Sequence, residues 1–140
     1  MRISDFLEAV ANGTRQALPD TYQNFKSRQR GSMVQIWYGR PQIHYEVWVQ
    51  GGRNRLEVGL HFEASKPVND RLIRYLAQRF IGVQASIGPN LELEQWTHNW
   101  GRVHQFVAYD KLDEELTHTV ATELAQMITT LEPLYVPALD

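Results

Sequence analysis

Cysteine is absent from this 140-residue sequence, which excludes disulfide frameworks, thiolate nucleophiles and cysteine-based metal sites. No hydrophobic run approaches the roughly 20 residues that a membrane-spanning helix needs. The first residues, MRISDFLEAVANG, are too polar for a secretion signal, so we predict no targeting segment there. These absences favour a soluble, cytoplasmic protein.

The sequence also has no large excess of positive or of negative charge. Lys and Arg number 14 and Asp and Glu number 16, for a formal net charge of −2, so no global field attracts nucleic acid or an anionic membrane. The sequence also lacks a Gly-rich phosphate loop and a G-x-S-x-G nucleophile motif, so we predict no catalytic residue and no cofactor. The basic residues that remain candidates for nucleic-acid contact are Lys26, Arg28, Arg30, Arg71 and Arg74.

The composition that is present is ordinary for a globular protein. Hydrophobic residues make up 43% and charged residues 21%, and the length suits one domain over residues 1–140. Apolar residues at helical spacing predict helices over residues 3–18, 67–84 and 113–132. Asp113 is the expected N-cap of the last helix, and Pro133 is expected to end it.

Period-two alternation predicts a three-stranded meander over residues 33–38, 43–50 and 53–63. The connections are GRPQ and a two-residue Gly51-Gly52 turn, which would pair Gln50 with Arg53. Both turns place the aliphatic residues on one face, a register that a one-residue slip would destroy. Residues 19–31 are predicted to be a polar connection.

A second hairpin is predicted from residues 91–96 and 102–109 around the turn THNWG. Its register stays open, because Leu91 and Leu93 can face either Val103 and Val107 or Phe106 and Ala108. The segment EQWTHNWGRVHQF is interpreted as a hairpin with an aromatic tip that packs against a helix and serves for contact. His98 and His104 are not at a recognised ligand spacing, and we interpret them as polar edge residues.

The predicted order α-β-β-β-α-β-β-α indicates a two-layer α+β domain with a five-stranded antiparallel sheet. By element order alone, the chain resembles the secretion-chaperone-like fold of type III secretion chaperones and related small bacterial domains. That resemblance implies a homodimer that binds an extended segment of another protein.

The second face of the meander carries residue types that are enriched in interface cores. The register pairs Trp37 with His44, Met33 with Trp48, and Trp48 with Arg55. Either a helix of the same chain covers this face or a partner does. The residues predicted to bind a partner are Met33, Trp37, Trp48 and Arg55.

The same register places Glu46 directly opposite Glu57, with His44 and His61 beside them. Two carboxylates and two imidazoles make these four residues weak candidates for a divalent-metal site. The alternative is a surface carboxylate pair that Arg55 neutralises. We therefore predict a non-enzymatic, protein-binding or chaperone-like domain that is homodimeric. The competing prediction is a small-ligand or metal-dependent enzyme that uses the His/Glu cluster.

Overall fold

The computed structural model describes residues 1–139. Its helices are α1 (Ile3–Ala17), α2 (Lys66–Ala77), α3 (Phe80–Ile87) and α4 (Glu114–Tyr135). Its strands are β1 (Lys26–Arg30), β2 (Met33–Trp37), β3 (Ile43–Gln50), β4 (Arg55–Phe62), β5 (Glu92–Gln95) and β6 (Gly101–Ala108). None of the described helices combines the length and hydropathy that crossing a bilayer requires.

The six strands form one antiparallel sheet in the order β1-β2-β3-β4-β6-β5. The predicted α+β class with an antiparallel sheet is confirmed, but the five-stranded count and the order α-β-β-β-α-β-β-α are wrong. The additional strand, β1, lies in the predicted polar connection and pairs with β2. All five of its side chains are exposed, so its sequence KSRQR carries no apolar alternation to mark it.

The single helix predicted over residues 67–84 is also wrong, because the chain forms α2 and α3 with a break between them. Arg79 leaves the helical region at φ −120° and ψ 5°. Its amide donates to the carbonyl of Leu76, which tightens the end of α2 into a turn. The predicted periodicity spans this break because apolar residues continue on both sides.

The last helix begins as predicted, since the Asp113 carboxylate accepts a hydrogen bond from the Leu116 amide at 2.9 Å. It does not end at Pro133, which lies inside its final turn. Glu132 and Tyr135 are buried on either side of the proline, and the Tyr45 hydroxyl donates to Glu132 at 2.8 Å. This anchor on the sheet keeps the turn helical although the proline lacks an amide hydrogen.

The aliphatic side of the sheet, here called the first face, packs against the helices. Contacts join α1 to β2, α4 to β4, and α2 to β5 and β6. The largest side chains buried in this layer are Phe6, Leu7, Ile36, Tyr45, Leu56, Leu60, Phe62, Leu72, Leu76, Leu91, Leu124 and Met127. The helices therefore cover the first face. The opposite side of the sheet is here called the second face.

The turn between β3 and β4 differs from the prediction. Gln50 pairs with Arg55 rather than Arg53, because residues 51–54 form a 3₁₀ turn that Asn54 closes in the left-handed region at φ 48°. Asparagine tolerates that conformation better than most residues. The register therefore shifts by two residues, and because side chains alternate with period two, every residue keeps its predicted face.

The pairs across the second face change with this shift. Glu46 lies opposite Gly59 and not Glu57, and Trp48 lies opposite Glu57 and not Arg55. The predicted pair of Met33 with Trp48 is confirmed. The β2–β3 ladder ends at Ile36, one residue before the predicted pair of Trp37 with His44.

Gly59 is the one residue of the second face that has no room for a side chain. A Cβ atom there would lie 2.7 Å from the Val103 carbonyl oxygen and 2.8 Å from the His104 Cβ. The glycine therefore allows β4 and β6 to approach closely beneath the polar side chains that surround it.

Gly59→Ala should lower the free energy of unfolding by about 1–3 kcal/mol, because the clash involves backbone that cannot move aside cheaply. Gly52→Ala is the matched control, since nothing lies within 4 Å of a Cβ at that position. It should change stability by less than about 0.5 kcal/mol. Urea denaturation followed by circular dichroism measures both, and equal stability of the two variants would contradict this account.

Candidate functional site

The second face is a layer of buried polar side chains. Six of its residues are at most 5% exposed, namely Gln35, His44, Glu46, Glu57, His61 and His104. Charged side chains are rarely buried to this degree unless they are paired, so the partners of each one decide what the face can do.

His44 and Glu46 are neighbours on β3 that point to the same side. The Nε2 atom of His44 lies 3.2 Å from Glu46 Oε1. The Nδ1 atom of the same ring lies 2.8 Å from the Pro41 carbonyl oxygen, which can only accept a hydrogen bond, so Nδ1 carries the proton. Gln35 on β2 donates its side-chain amide to Glu46 at 3.3 Å.

His61 on β4 stacks on His44, with ring centroids 5.6 Å apart and planes inclined by 12°. Its Nε2 atom lies 3.2 and 3.3 Å from the two carboxylate oxygens of Glu57. Its Nδ1 atom lies 3.3 Å from Glu63 Oε2, but the geometry is not that of a hydrogen bond. Glu46 Oε2 also lies 3.7 Å from Nε2, so His61 lies among three carboxylates and makes a hydrogen bond only with Glu57.

Arg102 on β6 supplies the cation for this layer. Its guanidinium donates to Glu57 at 2.8 Å and to Glu94 at 2.6 Å. His104 Nε2 also lies 3.1 Å from Glu94, although neither of its ring nitrogens makes a hydrogen bond. The fully buried Glu57 is therefore compensated by Arg102, and the predicted neutralisation by Arg55 is wrong.

Burial and charge act in opposite directions on the histidines and carboxylates. Burial lowers the pKa of His61, but the carboxylates of Glu57, Glu63 and Glu46 outweigh it and raise the pKa to about 9. Burial and then the charge of Arg102 lower the pKa of His104. For Glu46, burial raises the pKa, but His44 and His61 outweigh it and the net pKa is lowered.

The tip of the β5–β6 hairpin closes over this layer. The Trp96 ring meets the His61 ring edge-on at 5.7 Å, and the Arg102 guanidinium lies 4.5 Å from the Trp96 ring centre. The prediction that the tip indoles pack against a helix is therefore wrong for Trp96. It is the backbone of the tip that contacts a helix, because Lys66 and Asn69 of α2 donate to tip carbonyls. Leu93 pairs with Val103, which fixes the open register.

The residues predicted to bind a partner all lie half-buried on the second face. Trp48 and Arg55 line an open depression of about 530 Å³ together with Arg53, Arg102 and Phe106. Arg55 lies over Phe106 at 3.7 Å rather than over Trp48. The full set predicted was Met33, Trp37, Trp48 and Arg55. Of these, Trp37 lies beneath the guanidinium of Arg28, which is 5.4 Å from the centre of its ring.

The structure brings three of the four weak metal candidates together. His44, Glu46 and His61 offer ligand atoms within 4.8 Å of one another, and the fourth member of the group is Glu63. The remaining candidate, Glu57, is instead held by Arg102. The predicted strand continued to residue 63, so alternation alone already placed Glu63 on this face.

The basic residues considered for nucleic acid do not form one surface. Lys26, Arg28 and Arg30 lie on β1, at one edge of the sheet. Arg71 and Arg74 lie on α2, which contacts β5 and β6 at the other edge.

Comparison of the chain with protein-family models, curated proteins and solved structures yields no match.

The stability of the metal-free protein should fall as the pH rises from about 7 towards 9. The pKa of His61 is about 9 in the folded protein and about 6.5 in the unfolded chain, so between these values the folded state binds more protons. The stabilisation from His61 is complete below about pH 6.5 and is lost as the pH passes the folded pKa of about 9.

His61→Gln should remove this decline, whereas His98→Gln, at an exposed residue of the hairpin tip, should keep it. Urea denaturation at pH 6, 7.5 and 9 after EDTA treatment measures the difference. The same decline in both variants would show that His61 is not its source.

Proposed function

We propose that this chain is a protein-binding domain whose second sheet face receives an acidic segment of another protein. The observation that supports this is the depression beside Trp48, which has arginines and aromatic rings but no carboxylate in its lining. The lining residues are Ser32, Trp48, Val49, Gln50, Gly52, Arg53, Arg55, Trp96, Arg102 and Phe106.

The charges around the depression favour an anionic partner. Within residues 1–139, no carboxylate oxygen lies within 4 Å of the guanidinium of Arg53 or Arg55. Arg55 is held in place by Gln50 at 2.8 Å and by the Phe106 ring, so it is positioned before a ligand arrives. Pre-positioned arginines bind carboxylates at a lower entropic cost than mobile lysines do.

The aromatic residues favour a peptide over a simple anion. Trp48 and Trp96 each line this depression and also the smaller one beside Arg30 and Glu63, so the two depressions adjoin at the indoles, and together they are called the groove here. An extended segment in the groove would contact both indoles and place an acidic side chain near Arg53 and Arg55. Large aromatic side chains and arginines supply much of the affinity of protein interfaces.

The finer predictions from the sequence belong to this proposal. The resemblance to secretion chaperones agrees with capture of an extended segment, and a cytoplasmic homodimer is the form in which we expect the protein. The occupant that we propose for the groove is the foreign segment and not a second copy of the chain.

A fluorescein-labelled decapeptide rich in Glu and containing two Phe should bind the protein, with an affinity that falls as salt is added. Trp48→Ala should weaken binding about tenfold by removing an aromatic anchor. Arg53→Glu, in an exposed turn where misfolding is not expected, should weaken it by a similar factor through charge reversal. Fluorescence anisotropy gives the dissociation constants.

Arg74→Glu is the matched control, because it makes the same charge change at an exposed residue of α2. Its affinity should equal that of the unaltered protein, and the peptide with Lys in place of Glu should not bind. Equal loss in both charge variants would overturn the proposal. A dimer that dissociates in the Trp48→Ala variant during sedimentation would also overturn it and assign the groove to a second copy.

A further inference from the structure

We propose that His44, Glu46, His61 and Glu63 form a binding site for one divalent transition-metal ion at the floor of the second face. This site opens into the smaller depression of the proposed groove, next to the peptide contacts, but it is argued from the geometry of the four side chains alone. Glu46 and Glu63 line the smaller depression beside Trp48, so the ion would have a path from solvent.

The donor atoms are spaced as a small coordination shell requires. His44 Nε2 lies 3.2 Å from Glu46 Oε1 and 3.9 Å from Glu63 Oε2. His61 Nδ1 lies 3.3 Å from the same Glu63 oxygen. Metal–ligand bonds of about 2.0–2.1 Å at a tetrahedral centre separate the donors by about 3.3–3.4 Å. All four ligand atoms lie within 4.8 Å of one another, so side-chain movements alone would close the shell.

Both imidazoles are held by their other nitrogen, as metal-binding histidines usually are. His44 donates its Nδ1 hydrogen to the Pro41 carbonyl, which leaves the lone pair of Nε2 directed at the carboxylates. His61 can donate its Nε2 hydrogen to Glu57, which Arg102 fixes in turn. The tautomer that donates a hydrogen bond to Pro41 or Glu57 therefore leaves the other ring nitrogen free to bind an ion.

One buried atom lacks a partner where the ion would lie. His61 is 1% exposed, and its Nδ1 makes no hydrogen bond although it faces Glu63. A buried ring nitrogen without a partner is costly. An ion between Nδ1 and Glu63 would give this nitrogen a partner that the metal-free protein does not provide.

The formal charges leave a deficit of two positive charges. The carboxylates of Glu46, Glu57 and Glu63 are 5%, 0% and 20% exposed, and Arg102 supplies one cation against the three. Either protons on both histidines or one divalent ion balances the remainder. Two imidazole nitrogens and two carboxylate oxygens suit Zn²⁺ and its first-row neighbours, whereas Ca²⁺ and Mg²⁺ prefer all-oxygen sites.

The test uses the full chain after EDTA treatment, titrated with ZnCl₂ in a calorimeter and with CoCl₂ in an absorption cuvette. We expect one Zn²⁺ per chain and visible Co²⁺ bands of the intensity typical of four-coordinate sites. Glu63→Gln should weaken Zn²⁺ binding at least tenfold, and because Glu63 is partly exposed this variant should fold. His44→Gln should weaken binding further.

His98→Gln is the matched control and should bind like the unaltered protein, since that ring lies in the exposed hairpin tip. Absence of stoichiometric Zn²⁺ binding, or full binding in the folded Glu63→Gln variant, overturns the proposal. A second group of ligands, Glu92, Glu94 and His104, provides the sharpest alternative. Binding lost in Glu92→Gln but kept in Glu63→Gln would place the ion there instead.

Discussion

The charge of Glu57, which is 0% exposed, constrains the second face of the sheet. A buried carboxylate is tolerated only with close cations or hydrogen bonds, and Glu57 has Arg102 at 2.8 Å and His61 at 3.2 Å. His61 lies on β4 with Glu57, whereas Arg102 lies on β6 and therefore requires that strand to lie beside β4. Trp96 then lies over both partners, which keeps water away and makes each ion pair stronger than it would be in solvent.

The sequence predicts the two faces of the meander correctly, although it misses the turn that aligns β3 with β4. The reason is that Asn54 lengthens the turn by two residues, and a shift of two preserves the side to which each residue points. His44, Glu46 and His61 were therefore expected on one face, where they lie. Their direct neighbours were predicted wrongly, because these depend on the length of the turn.

The remaining parts of the site depend on contacts that no local pattern records. Arg102 reaches Glu57 across 45 positions of the chain, and only the strand order β4-β6-β5 places it there. The indoles at the hairpin tip predict from the sequence that the tip contacts another surface, but they do not identify that surface. The split between α2 and α3 was missed because the apolar spacing in the sequence continues across Arg79, whereas the helical backbone conformation is interrupted there.

The strand β1 forms one edge of the sheet, with its outer backbone groups free to pair. Such edges invite open-ended stacking of sheets from neighbouring molecules, which leads to aggregation. In β1 the side chains of Lys26, Arg28 and Arg30 all point to one side, so two such edges in register would bring like charges together. β1, the strand with no apolar alternation in its sequence, thus carries the charges that help to keep separate molecules of the protein from pairing edge to edge.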